Sequence, residues 1–194
     1  YTLSVTQGFV SGRFNTIENQ EQVYADATQN ITNTGIRNND EKNFFNRSNT
    51  QVNYKKTFDK VGKEWTADLN FNNGSNGGDA YISNQLFQPA GGAAGPKTFI
   101  NNKAAGENKQ FTFQTDYENQ ITENSKIELG ARSYFSATKN KLDVSSIENG
   151  ESTKLPLSNN YEFTEMVNAV YANYSNVIGK IKYQGGVRIE QSSF

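Results

Sequence analysis

Residues 64–74, Glu64-Trp65-Thr66-Ala67-Asp68-Leu69-Asn70-Phe71-Asn72-Asn73-Gly74, alternate between apolar and polar side chains. In an extended chain successive side chains point to opposite sides. Trp65, Ala67, Leu69 and Phe71 therefore share one face, and Glu64, Thr66, Asp68, Asn70 and Asn72 the other. A helix needs apolar residues every three or four positions, so the period of two identifies a strand with one apolar and one polar side.

The neighbouring stretch 51–59 obeys the same rule. Val52, Tyr54 and Phe58 fall on one side and Asn53, Lys55 and Thr57 on the other. The short polar link Asp59-Lys60-Val61-Gly62-Lys63 joins the two strands into a hairpin. Lys56 lands on the apolar side, close enough to the turn for its ammonium group to snorkel to an interface.

The unit recurs twice. Phe111, Phe113 and Tyr117 lead into the turn 120–125, and the chain returns with Ile127, Leu129, Ala131 and Phe135 opposite Glu128, Arg132 and Tyr134. Further on, a strand around Met166–Tyr174 turns at 176–179 and returns with Ile181, Tyr183, Val187 and Ile189 against Lys182, Gln184, Arg188 and Glu190. Which side of that strand is apolar is ambiguous: Val167, Ala169 and Tyr171 compete with Val170, Ala172 and Tyr174.

Between the hairpins lie glycine- and asparagine-rich stretches, roughly Glu18 to Asn43, Gly74 to Asn108 and Asp143 to Asn160, which read as long connections. Short turns on one side and long loops on the other are the asymmetry of an outer-membrane barrel. With an opening strand near Thr2–Phe14, the chain supplies about seven long strands, several continuing past the membrane into the outer loops. Tyr54, Phe58, Trp65, Tyr117, Tyr174 and Tyr183 gather near the short turns, where an aromatic belt would meet lipid headgroups.

Composition agrees. Hydrophobic residues make up 34% and aromatic residues 12%, and the mean hydropathy is -0.78. So polar a chain with so many aromatic residues fits a wall with one apolar face, one polar face and polar loops better than disorder. There is no Cys and no His, which removes disulfides, thiolate metal sites and Ser-His or Cys-His catalysis. A net charge of -1 gives no basic field for nucleic acid. No run approaches the ~20 apolar residues of a membrane helix.

The segments Ile121–Phe135 and Asn176–Glu190 resemble the barrel hairpins of TonB-dependent receptors of the Bacteroidota outer-membrane type, with Gly179-Lys180 at the turn and Gly186-Val187-Arg188-Ile189-Glu190 on the returning strand. The resemblance implies an all-β, antiparallel, up-and-down transmembrane barrel in the outer membrane of a Gram-negative bacterium. It also implies nutrient uptake, a barrel of about 22 strands, a plug domain in the lumen, coupling to a TonB system and an unknown ligand at the extracellular loops. Residues 1–194 are expected to form part of a single barrel domain, with the plug and the remaining strands outside them. An odd strand number, an alternating start at Tyr1 and the need of a barrel to close point the same way.

The charges Lys55, Glu64, Asp68, Arg132, Lys182, Arg188 and Glu190 are expected to face the lumen and to pair there or meet the plug. No catalytic, cofactor-binding or metal-binding residue is expected, and no enzyme activity. The run 74–79 (GSNGGD) faintly resembles a calcium turn but stands alone, and 88–96 reads as a loop tip. Asp40, Glu41, Glu148 and Glu151 have no convergent partner, and N-x-S/T sequons such as those at Asn30, Asn46 and Asn173 are what so Asn-rich a chain contains by chance. Gln191, Ser192 and Ser193 break the alternation before Phe194, so the last residue reads as mid-strand and not as a terminal barrel signal. Alternation alone also allows a soluble extracellular β-sandwich or adhesin-like module, with the apolar face buried on a second sheet.

Overall fold

The computed structural model describes all residues, Tyr1 to Phe194. Its strands are β1 (Thr2–Ala25), β2 (Ile31–Thr57), β3 (Lys63–Phe87), β4 (Thr98–Gln120), β5 (Ser125–Glu148), the four-residue β6 (Glu151–Lys154), β7 (Asn159–Ile178) and β8 (Ile181–Ser193). All pair antiparallel in one meander of order β1-β2-β3-β4-β5-β7-β8, with β6 beside the end of β5. No second sheet packs on it. Only 10 of 194 residues are buried and no large side chain is fully enclosed, so the sandwich expected as the alternative is not the fold.

Cohesion comes from the backbone: 128 of 142 main-chain hydrogen bonds lie within the strands. Three tight turns close one end. Phe58 N donates to Lys63 O (3.1 Å) around Gly62, whose φ is 72°. Ile121 N donates to Ser125 O (2.8 Å) at the second turn. Gly179-Lys180 is a two-residue link with φ 60° at Gly179 alone, the conformation that places glycine first in a type II′ hairpin.

At the other end the expected long loops are mostly strand, which corrects the sequence reading. β1 runs to Ala25 and β2 starts at Ile31, leaving residues 26–30 as the link; residues 88–97 link β3 to β4. Within Asp143–Asn160, Asn149-Gly150 (φ 52° and 84°) makes a tight turn into β6. The chain then steps back onto β5, where Leu155 N donates to Val144 O (2.8 Å) and the Ser158 hydroxyl bonds both main-chain groups of Val144. Seven long strands are present as expected, six of them 20 to 27 residues long and β8 of 13.

Candidate membrane-facing surface and lumen wall

Direct cross-strand partners share a face of the sheet, so register settles which side chains belong together. Val52 opposes Leu69, Leu69 opposes Phe113, Tyr117 opposes Leu129, Ala131 opposes Val170, and Val170 opposes Ile189. The apolar sides of the three hairpins thus form one continuous band. The ambiguous strand β7 is decided by the same pairing: Val170, Ala172 and Tyr174 join the band, while Val167, Ala169 and Tyr171 join the polar face. Within the band, Leu3, Val5, Val187 and Ile189 are 62–72% exposed. Removing each such side chain from water is worth roughly 1.5–3 kcal/mol, and the chain itself offers nothing to cover them.

The band runs obliquely across the sheet. One row of direct partners passes from Leu3 through Tyr54, Ala67, Thr115, Ala131 and Val170 to Ile189. On β1 the row enters at the turn-side end of the apolar stretch Leu3–Phe9; on β8 it leaves at the far end of Ile181–Ile189. The apolar stretch therefore slips by about one residue per strand, which at a ~3.3 Å rise and ~4.8 Å strand spacing inclines it by roughly 35°. Strands in outer-membrane barrels are tilted by about that angle. A level apolar belt and tilted strands produce the slip together.

The six aromatic residues near the short turns all lie on this face. Tyr54 and Trp65 meet edge to face at 5.3 Å, and Tyr174 and Tyr183 lie 6.4 Å apart. The Trp65 indole N–H donates to the Thr115 hydroxyl (2.7 Å), so the one polar atom of the ring is satisfied. Lys56 opposes Trp65 on the apolar face and turns its ammonium group to the Phe58 ring at 4.8 Å.

The other face is graded along the strands. Nearest the short turns it is charged: Lys55 pairs with Glu64 (2.6 Å) and Lys126 with Glu118 (2.7 Å) and Glu128 (2.5 Å); Arg188 pairs with Glu190 (2.8 Å) farther along β8, beside Ile189. The Tyr171 hydroxyl donates to Asp116 and accepts from Gln114 Nε2 (3.3 Å), with the Arg188 guanidinium 5.7 Å from its ring. All seven charges expected to face the lumen share this side; Asp68 accepts from Asn53 (2.6 Å), while Arg132 and Lys182 make no ion pair within the sheet.

Above the charges comes a tier of amides and hydroxyls. Asn49 donates to Asn72 (2.6 Å) and Asn70 (3.1 Å), and Asn108 to Thr138 (2.9 Å). Here Gly8, Gly74, Asn49, Asn72, Asn76 and Asn108 help line an open concavity of about 630 Å³. Higher still the same face turns apolar, with Ala80, Ile82 and Val144 buried and Ile100 directly opposite Ile82. The reverse side of that upper segment carries Asp79, Lys103, Lys139, Lys141 and Asp143. Polarity thus inverts beyond the lipid band, where the outside of the sheet meets water.

That inversion is what the sequence reading missed. Alternation continues beyond the band, but with Asn, Ser and Gly on both sides its amplitude is small. The signal that was present is Asn149-Gly150, a dipeptide favoured in two-residue hairpins. The candidate calcium turn 74–79 is regular strand, and no group of three or more acidic side chains stands where it could hold a metal ion. At the link between β1 and β2, the Asp26 carboxylate accepts from Thr28 N (2.8 Å), the Thr28 hydroxyl (2.7 Å) and Asn30 N (2.9 Å). These bonds, the Thr28 hydroxyl foremost, hold its pKa below the usual carboxylate range.

Residues 56–194 match the model of the Outer membrane protein beta-barrel family. No curated protein matches the chain.

Proposed function

The chain belongs to the outer membrane protein beta-barrel family, and we propose that it forms wall and outer rim of a TonB-dependent receptor that imports a nutrient across the outer membrane of a Gram-negative bacterium. Family membership carries the barrel and its membrane; the receptor role rests on the length and grading of the wall. Strands of 20 to 27 residues far exceed the ~9–11 needed to cross a bilayer, and the excess builds a tall vestibule outside the membrane. Below it, the charged tier faces the lumen at membrane depth, where a plug domain would dock and complete the ion pairs of Arg132 and Lys182. In this reading the residues of the wall are structural, and ligand meets the protein at the rim and inside the vestibule.

A plugged receptor and an open pore differ electrically. In planar bilayers the whole barrel should show no steady ion conductance until a denaturant loosens its plug, and uptake in cells should stop when the inner-membrane energy complex is deleted. Steady conductance without denaturant, or uptake indifferent to that deletion, would contradict the receptor reading.

A further inference from the structure

In an Asn-Gly pair the backbone readily attacks the side-chain amide, because glycine has no side chain to hinder the approach. The chain carries three such pairs, at 73–74, 76–77 and 149–150. The fold treats them differently. The first two lie inside β3, where the ladders to β2 and β4 take up the main-chain N–H groups and hold the backbone extended. Space is closed there as well: a Cβ on Gly77 would lie 2.6 Å from the Phe44 ring and 2.7 Å from Ala104 O, and one on Gly74 3.7 Å from Asn46 O. Asn149-Gly150 is the outermost turn, between β5 and β6, and both residues are exposed. The Gly150 N–H makes no main-chain hydrogen bond, and a Cβ on Gly150 would meet nothing within 4 Å. Asn149 itself sits at φ 52°, a left-handed conformation that costs a non-glycine residue free energy and that ring closure would let it leave.

We infer that Asn149 is a site of spontaneous covalent modification. The deprotonated Gly150 nitrogen attacks Cγ of Asn149: the N–Cγ bond forms, the Cγ–Nδ2 bond breaks, and the amide leaves as ammonia with the proton returned by water. Water then opens the cyclic imide at either carbonyl. Opening at Cγ gives an aspartyl residue; opening at the main-chain carbonyl gives an isoaspartyl residue, whose backbone runs through the former side chain. Overall one water enters and one ammonia leaves. The consequence falls on β6. Glu148 and Glu151 already oppose each other across the turn, an unfavourable pairing of like charges, and either product sets a third carboxylate beside them. An aspartyl residue before glycine still suits the turn. The isoaspartyl product does not, because its main chain is longer by one methylene and Glu148 and Glu151 lose their register. β6 is then held to β5 only by the Lys154–Asp143 pair and by the bonds of Leu155 and Ser158 to Val144, and this corner of the rim comes loose. The modification is independent of the receptor role.

The test ages the whole barrel in detergent, in mildly acidic and mildly alkaline buffer. Trypsin releases Leu142–Lys154, which holds Asn149, and Glu64–Lys97, which holds both other pairs, so mass spectrometry compares all three in one sample. The 142–154 peptide should convert to acid forms, faster in alkali, with a fraction labelled by an isoaspartyl methyltransferase. Conversion at Asn73 or Asn76 first requires local opening of β3, so it should be slower by roughly tenfold or more. In guanidinium all three pairs should convert, since only the fold separates them. Hydrogen exchange across 145–154 should quicken as the isoaspartyl fraction grows; Asn149→Gln should abolish both changes, and Asn149→Asp should leave β6 paired. A 142–154 peptide that stays intact in the folded barrel while the unfolded chain converts overturns the inference, as does equal conversion of 64–97 in the folded barrel. Loosening in fresh Asn149→Asp as large as in the aged barrel would overturn the role given to the lengthened backbone.

Discussion

At Gly130 the sheet leaves room for a ring: a Cβ there would collide with the aromatic carbons and hydroxyl of Tyr171 on the neighbouring strand. Gly130 thus lets Tyr171 lie flat on the lumen wall and reach Asp116 and Gln114. Tyr171→Phe removes the hydrogen bonds and keeps the ring, so it should cost roughly 1 kcal/mol. Gly130→Val evicts the ring as well, and about 1–3 kcal/mol is expected, both read from urea unfolding of the barrel in vesicles. Equal losses would show that the ring's place over Gly130 does not matter. The two faces give a sharper contrast. Arginine in place of Leu69, near the middle of the apolar band, should cost ~2–4 kcal/mol in lipid, whereas arginine in place of Asn72 on the wetted wall should cost little. Which of these positions faces which way was legible from alternation alone. Tyr171 was not, because β7 carries apolar residues on both faces and only pairing with β5 decides between them.

Among the elements, the hairpins at the short turns were readable because lipid demands a strongly apolar face there. The upper halves of the same strands were not, since water wets their outer side and both faces carry Asn, Ser and Gly. Hydrogen exchange tests that correction. Amides of Gly35–Asn43 and Gly74–Tyr81 should be protected, as ladder pairing requires; exchange at loop rates would restore the long-loop reading. The link at Asp26 should respond to pH. Its carboxyl is held below the ordinary value by Thr28 and Asn30, and a depressed folded pKa contributes order that is complete above the unfolded pKa and lost as pH falls through the folded one. Acidification below the usual carboxylate range should therefore speed exchange at the Thr28 and Asn30 amides. Asp26→Asn should remove that dependence, and an unchanged pH profile in the variant would assign it elsewhere. On the far side, Lys141 and then Lys154 hold the Asp143 pKa down, pinning β6 to β5 through the Lys154–Asp143 pair (2.7 Å).

For the whole molecule, the slip of the apolar band joins sequence to membrane. Each strand carries its own short apolar stretch, and nothing in a single strand says how the stretches align. Register supplies the alignment, and the slip of about one residue per strand is what strand tilt requires of a level belt. The charged tier was legible residue by residue. The amide tier was not, since Asn76, Asn108 and Asn140 come from three separate strands and look like loop composition until the ladder sets them in neighbouring rows. The central claim is that one face of this sheet meets lipid and the other a watery lumen. Its most direct test places single cysteines at each position from Glu64 to Asn73 in the whole barrel, reconstituted in vesicles. Each is labelled with an environment-sensitive fluorophore and quenched in turn by a lipid-borne and a water-soluble quencher. Positions 65, 67, 69 and 71 should respond to the lipid quencher and 66, 68, 70 and 72 to the aqueous one; a profile without that alternation, or with both faces open to water, would contradict the account.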